Sequence, residues 1–195
     1  MHAATTLEAQ LTRLVRSTGW IMRALVTARD VDPPDWLLGA GTVRSLVWDF
    51  LHDGADPTPP NDLDLVFFDP DSLGEGREAE VGGALIERAP ELPWDVKNQA
   101  AVHLWYPRVF GVEVEPLTSS ADAVGTWPET ATCVAVRLYR DHRLEIVAPF
   151  GLEDLFGLVC RRNPRRVTTE EYRRRVQSKR FAERWPMVTI VDEPQ

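Results

Sequence analysis

The feature that most constrains the fold is the segment 61–69, in which two aspartates alternate with leucines before an apolar, aromatic run. Side chains alternate between the faces of a β-strand, so Asp62 and Asp64 lie on one face, about 7 Å apart. Two neighbouring carboxylates at the start of a buried strand repel one another. A cation such as Mg²⁺, which prefers carboxylate oxygens, would remove this repulsion. The alternative is a surface turn formed by Asn61 and Asp62, with Asp64 in solvent.

The composition is that of one folded domain with a substantial core. The chain has 195 residues, of which 44% are hydrophobic and 27% are charged, and these fractions are ordinary for globular proteins. The formal net charge of −8 argues against a protein that coats nucleic acid non-specifically. Basic residues nevertheless concentrate in the segment 161–180. This segment either binds an acidic acceptor or forms a solvated face that balances the acidic remainder.

The chain carries no sign of a secreted or membrane protein. The N-terminus lacks a basic stretch followed by an apolar run, and no apolar stretch reaches the roughly 18–20 residues that span a membrane. The two cysteines, Cys133 and Cys160, do not form a C-x-x-C pair, so the sequence does not favour a zinc site. We therefore expect a cytoplasmic protein with two free thiols and no membrane partner.

Hydrophobic spacing and turn residues predict helices that alternate with short strands. In chain order the predicted elements are a helical region 6–29 divided at Gly19, a strand 36–38, a helix 42–52, a strand 63–68, a helix 78–89, a strand 93–98, a helix 98–106, a short helix within 118–127, a β-hairpin of 132–139 and 144–148, helices 152–159 and 168–184, and an edge strand 187–191. This order predicts an α/β (α+β) fold, with a small mixed β-sheet flanked by helices and a C-terminal β-hairpin and helices.

Two further features accompany the acidic strand. A turn that contains Gly39 and Gly41 joins a strand to a helix, and small residues there let backbone N–H groups approach an anion. Tight strand-to-helix turns also need glycine for steric reasons alone. The second feature is Asp95, an acid between Trp94 and Val96 in a later strand, which repeats the apolar-acid-apolar pattern of the acidic strand.

Together, the glycine turn, the Asp-x-Asp pair and the later acid resemble the nucleotidyltransferase superfamily that includes DNA polymerase β and the CCA-adding enzymes. The segment 40–44, Ala-Gly-Thr-Val-Arg, is similar to the Gly-Gly-Ala-Val-Arg turn of CCA-adding enzymes, with Ala40 in place of the first glycine. Over residues 35–186 the chain also resembles a small bacterial nucleotidyltransferase family, in the blocks 39–49, 94–100, 127–132 and 148–152.

This resemblance implies a nucleotidyltransferase-like domain over 35–186, after an N-terminal helical segment 1–34 and before a tail 187–195. It implies metal-dependent transfer of a nucleoside monophosphate from an NTP to an unknown hydroxyl acceptor, which is a small molecule, an RNA end or a protein side chain. The cofactor would be Mg²⁺, with Mn²⁺ as the alternative. The implied catalytic and metal-binding residues are Asp62, Asp64 and Asp95, and the implied nucleotide-binding residues are Gly39, Gly41, Thr42, Arg44 and Lys97.

A rival hypothesis is a nucleotide-sensing or protein-interaction module that keeps the fold without turnover. Ala40 favours this rival, because it alters the turn that would contact phosphate. The three acids favour the enzyme, because a protein that only binds nucleotide has no need of two metal ions.

Overall fold

A five-stranded mixed β-sheet lies at the centre of the molecule. The computed structural model describes residues 6–53 and 61–191. The strands are β1 (Leu37–Gly39), β2 (Leu63–Phe67), β3 (Trp94–Asn98), β4 (Ala135–Leu138) and β5 (Leu144–Val147). Their order is β3-β2-β1-β4-β5, with β2 and β3 parallel and the other neighbours antiparallel. The predicted mixed sheet and the predicted hairpin, β4–β5, are confirmed.

The helices pack on both faces of this sheet. They are α1 (Leu7–Ser17), α2 (Gly19–Val31), α3 (Gly41–Asp53), α4 (Glu75–Arg88), α5 (Val102–Phe110), α6 (Ser120–Val124), α7 (Glu153–Phe156), α8 (Thr169–Lys179) and α9 (Phe181–Arg184). Leu63, Leu65 and Phe67 of β2 are fully buried in the main core, which they share with α1, α2 and α3. The opposite face of β2 therefore carries Asp64 and Val66.

The N-terminal helices divide at Gly19, as predicted. Leu11 of α1 and Leu25 of α2 are fully buried in the same core as the sheet. The boundary at residue 35 between a helical segment and a domain stays a prediction, and residues 1–5 and 192–195 of the predicted terminal segments lie outside the described residues.

The C-terminal region differs from the prediction in two places. The predicted helix 168–184 is wrong as one element. It begins with a capping box of Thr168 and Glu171, but Arg180 adopts a left-handed φ of 51° that separates α8 from α9. The predicted helix 152–159 ends early, because Leu158 also has a left-handed φ, of 55°.

A second, two-stranded sheet follows this early end. Strand β6 (Val159–Arg161) pairs in parallel with β7 (Thr189–Val191), which confirms the predicted last strand. Across the described ranges, no helix is long and apolar enough to cross a membrane.

Candidate active site

The three predicted acids lie close together at one end of two neighbouring strands. Asp64 in β2 is directly opposite Asp95 in β3 in the parallel register. Asp62 precedes β2 by one residue and is exposed, whereas Asp64 is partly buried. The pairing of two parallel strands thus brings together carboxylates that are separated by about thirty residues of chain.

The charges of these acids perturb one another. The pKa of Asp64 is raised to about 6, first by burial and then by the negative charges of Asp62 and Asp95. Arg44 and a hydrogen bond from the backbone N–H of Gly41 oppose this rise. Asp64 is therefore a carboxylate that would be stabilised by a cation.

These acids supply the donor atoms that a hard divalent cation requires. Carboxylate oxygens are the preferred protein ligands of Mg²⁺, and the pKa of Asp64 is raised by burial first and then by the negative charges of Asp62 and Asp95. Within residues 6–53 and 61–191, no group of three or more His, Cys, Asp or Glu side chains has already converged to metal-binding geometry. The chemistry of the donor set fits the metal, and metal binding by all three acids stays a prediction.

The turn between β1 and α3 is fixed to the rest of the sheet. Ala40, which replaces the first glycine of the resembling turn, has a left-handed φ of 51° and donates its N–H to the carbonyl oxygen of Val134. The left-handed conformation is the one that glycine adopts readily and that costs alanine roughly 1 kcal/mol. The alanine therefore keeps a glycine-like turn.

Gly39 is required by close packing between β1 and β4. A Cβ atom on Gly39 would lie 2.5 Å from the Cβ of Ala135 and 2.8 Å from the carbonyl oxygen of Val134. These atoms belong to the neighbouring strand and cannot move independently of it. Gly39 is predicted to bind nucleotide, and the structure gives it a packing role as well.

Gly39→Ala is expected to lower the free energy of unfolding by roughly 2–3 kcal/mol, because the methyl group forces β1 and β4 apart. Urea unfolding measures this change. The matched control is Gly83→Ala in the exposed interior of α4, where a Cβ meets nothing within 4 Å. The control should raise stability by about 0.5–1 kcal/mol. Equal effects of the two substitutions would contradict the packing role.

Gly41 and Thr42 connect the start of α3 directly to Asp64. The N–H of Gly41 bonds to the Asp64 carboxylate, and a Cβ at Gly41 would lie 3.0 Å from Asp64 Oδ2. The hydroxyl of Thr42 accepts the backbone N–H of Asp64 at 2.8 Å, and the Thr42 side chain is fully buried. The predicted phosphate-binding turn is thus joined to Asp64 by hydrogen bonds.

Arg44 lies in the interior, although an arginine on the first turn of a helix usually forms surface pairs. Its guanidinium stacks over three aromatic rings, at 5.5 Å from Trp48, 4.9 Å from Phe181 and 5.1 Å from Trp185. Burial lowers the pKa of Arg44, while the charge of Glu129 opposes that change. Arg44 is therefore buried near Asp64, and its positive charge opposes the rise in the pKa of that carboxyl.

Lys97 lies on the same edge as the third acid. Its ammonium group is 3.4 Å from Asp95 Oδ1 and 3.9 Å from a carboxylate oxygen of Glu78. Lys97 is exposed and lines a cavity that also includes Asp64 and Ala40. The residue predicted to bind nucleotide is therefore at the surface that a nucleotide would reach.

This cavity has a volume of about 480 Å³, within the range typical of small-molecule sites. Asp64 and Ala40 of the turn form one end. Aromatic rings from α5 and the segment after α6 form the walls, namely Trp105, Tyr106, Phe110 and Trp127. Residues of α8 close the far side, so the basic segment reaches the site.

The basic segment is held there by a buried ion pair. Arg175 Nε lies 2.5 Å from Glu129 Oε1, and the Glu129 side chain is only 1% exposed. Glu129 also caps the short 3-10 helix Thr130–Thr132. Many other basic side chains of the segment pair with acids, including Arg161 with Asp154 and Arg165 with Asp122.

Sequence reasoning did not include the aromatic wall in the site. The rings of Trp105, Tyr106 and Phe110 follow β3 in the chain, but their spacing also fits a helix packed on a core. The structure distinguishes them from core residues, because all three rings remain partly or largely exposed in the folded chain. The sequence pattern alone does not show this exposure.

The mixed sheet carries carboxylates on two adjacent parallel strands, beside a glycine turn that opens a helix. The sequence profile of a nucleotidyltransferase family matches residues 26–190, and this chain is a member of that family. Members of this family are enzymes that use NTPs for nucleotidyl transfer. A search of curated proteins gives no match.

Solved structures give the same fold. A protein whose NMR structure is described as revealing a CCA-adding enzyme head domain superposes with a TM-score of 0.80 at 29% identity, covering 98% of both chains. The Thermotoga maritima CCA-adding enzyme complexed with tRNA superposes with a TM-score of 0.56 at 15% identity, covering 93% of this chain and 42% of that one. A CCA-adding enzyme complexed with CTP gives a TM-score of 0.56 at 16% identity, with 93% and 43% coverage. This chain thus spans less than half of those two enzymes.

Proposed function

We propose that this protein transfers a nucleoside monophosphate from an NTP to a hydroxyl acceptor, with Asp62, Asp64 and Asp95 holding two divalent metal ions. The observation that carries the proposal is the register that places Asp64 opposite Asp95, beside Asp62. The metal is Mg²⁺ or Mn²⁺, since both take oxygen ligands. Bound there, the ions supply charge neutralisation and increase the acidity of the attacking hydroxyl.

The chemical step is an in-line displacement at the α-phosphorus. A bond forms between the acceptor oxygen and the α-phosphorus, the bond to the bridging oxygen breaks, and pyrophosphate leaves with that electron pair. Asp95 accepts the hydroxyl proton. The start of α3, which begins at Gly41, would position the triphosphate, because the positive end of a helix dipole favours anions.

The nucleotide donor is supported by the neighbours. CCA-adding enzymes of the same fold have been solved with CTP and with ATP. In this chain, Ala40, Asp64 and Lys97 line one cavity, so the turn, an acid and a cation would contact the same ligand. The acceptor is a small molecule, an RNA end or a protein side chain.

The test uses NTPs labelled at either the α- or the γ-phosphate, incubated with protein, Mg²⁺ and cell extract. We expect label from the α-phosphate alone to appear on an acceptor, with release of pyrophosphate. Asp62→Asn should lower this transfer by roughly 100-fold or more, because it removes a metal ligand. Asp71→Asn, which alters an exposed acid beyond the other end of β2, is the control.

Two results would contradict the proposal. Transfer of the γ-label would indicate phosphoryl rather than nucleotidyl transfer. Binding of NTPs without labelling of any acceptor, unaffected by Asp62→Asn, would indicate the rival nucleotide-sensing module.

A further inference from the structure

The aromatic end of the cavity contains an uncommitted polar group. Gln99 lines the cavity and is 8% exposed. Its side-chain amide makes no hydrogen bond to any other residue of the described ranges. Although most of the residue is buried, its amide atoms are open to the cavity, and an amide offers both a donor and an acceptor. Gln99 is therefore poised to bond a ligand with polar edges.

Other polar side chains around the cavity are already engaged. Thr132 bonds to Glu129, Arg175 pairs with Glu129, and Ser178 bonds to a backbone carbonyl. Likewise, Glu171 accepts hydrogen bonds from Thr168. The specificity of the cavity for a polar ligand therefore depends strongly on Gln99.

The backbone that carries Gln99 is rigidly held. The side chain of Asn98, the preceding residue, accepts the N–H groups of Asp69 and Ala100 and donates to the carbonyl oxygens of Asp69 and Ser72. These bonds fix the chain at the end of β3. A ligand that bonds to Gln99 consequently meets a group that is already in position.

The aromatic rings next to Gln99 provide a surface for stacking. Tyr106 contacts Phe110 with a centroid separation of 4.4 Å and carries the guanidinium of Arg166 at 5.2 Å. Planar bases stack on such rings and on arginine. Asn98 is three positions beyond Asp95 along β3, or about 10 Å, so Gln99 lies roughly one nucleoside away from the acids.

From this arrangement we infer that the cavity is the nucleoside subsite of the NTP. The base stacks on the aromatic wall centred on Tyr106, and Gln99 bonds to its polar edge. The inference rests on the proposed function, because the acids and the turn must hold the triphosphate at the other end. A polyanion such as RNA fits this cavity poorly, since the arginines near it are paired or stacked.

The test compares binding of the four NTPs and of inorganic tripolyphosphate, each with Mg²⁺, by isothermal titration calorimetry. In the wild type, at least one NTP should bind at least 10-fold more tightly than tripolyphosphate. Tyr106→Ala should weaken binding of all four NTPs by roughly 10- to 100-fold. Gln99→Ala should weaken the preferred NTP by roughly 3- to 10-fold and narrow the differences among the bases. Neither variant should change tripolyphosphate affinity, which also reports that the site is folded.

Matched controls come from α5 and α8, two helices that line the cavity. Leu104→Ala alters an exposed side chain of α5, and Gln177→Ala alters an exposed amide of α8. Both should bind NTPs as the wild type does. Equal affinity for NTPs and tripolyphosphate, or NTP affinity that survives both test substitutions, would overturn the inference alone. Failure of the wild type to bind either ligand would overturn the proposed function, and this inference with it.

Discussion

Asp64→Asn is expected to lower nucleotidyl transfer by roughly 10³-fold or more while leaving the protein folded. The reason is that Asp64 is the central acid, with Asp62 beside it in the chain and Asp95 opposite it on β3, so its charge would contribute most to the proposed metal binding. Loss of a metal-ion contribution of several kcal/mol corresponds to a rate change of this size. Steady-state release of pyrophosphate measures the rate. Glu87→Gln, which removes one exposed negative charge from α4, is the control and should be fully active.

Asp64→Asn should lower activity but raise the free energy of unfolding of the metal-free protein above about pH 6. Because the pKa of Asp64 is raised from 3.8 to about 6 in the folded protein, the folded state binds more protons than the unfolded state between these values. The free energy of unfolding of the metal-free wild type should therefore fall as the pH rises from about 4 to about 6, by at most about 3 kcal/mol from this group, and then stay level. Asp64→Asn should lack this decrease.

Urea unfolding at a series of pH values, without divalent metal, measures this effect. Asp62, Asp95 and Arg44 all remain in the variant, so the comparison isolates the contribution of the Asp64 carboxyl. Retained transfer within 10-fold of the wild type, or a variant less stable than the wild type above pH 6, would contradict the central role of Asp64.

Arg175→Ala is expected to lower the free energy of unfolding by roughly 3–5 kcal/mol. The substitution leaves the Glu129 carboxylate, which is 1% exposed, without its closest cation, and an unpaired buried charge has a cost of this order. Arg44 is a second positive charge near Glu129, so the loss should lie at the lower end of this range. Urea unfolding at pH 7 provides the measurement.

The neighbouring arginine supplies a matched control. Arg174 is on the same helix, is largely exposed and lies 4.0 Å from Glu170, so Arg174→Ala should cost less than about 0.5 kcal/mol. A second comparison is the double variant Arg175→Met with Glu129→Gln, which removes both charges and should recover much of the loss. Equal losses for Arg174→Ala and Arg175→Ala would show that the ion pair is not what holds α8 over the cavity.

The sheet and the three acids could be predicted because their signals are local. Alternation in the segment 61–69 assigns Asp64 to one face and Leu63 and Leu65 to the other, and the structure has this arrangement. The pattern of Trp94 to Val96 likewise predicts a strand with an outward acid. Local patterns of this kind depend only on the geometry of a strand.

The surroundings of the acids depend on contacts that the sequence does not encode locally. Arg44 is buried because its guanidinium meets Phe181 and Trp185, residues that are far away along the chain. The ion pair of Glu129 and Arg175 likewise joins residues that are well separated along the chain, by 46 positions. The break at Arg180 carries no glycine or proline signal, so the pattern predicted one helix where the structure has two.

The position of β3 at the edge of the sheet gives Asp64 and Asp95 different surroundings. Asp64, one strand inward, lines a cavity of about 480 Å³. Asp95 is on an edge strand of the sheet, and 45% of its side chain is exposed. Under the proposed function, the nucleotide donor would occupy a cavity of limited size, whereas the acceptor would need only to present one hydroxyl at the exposed edge.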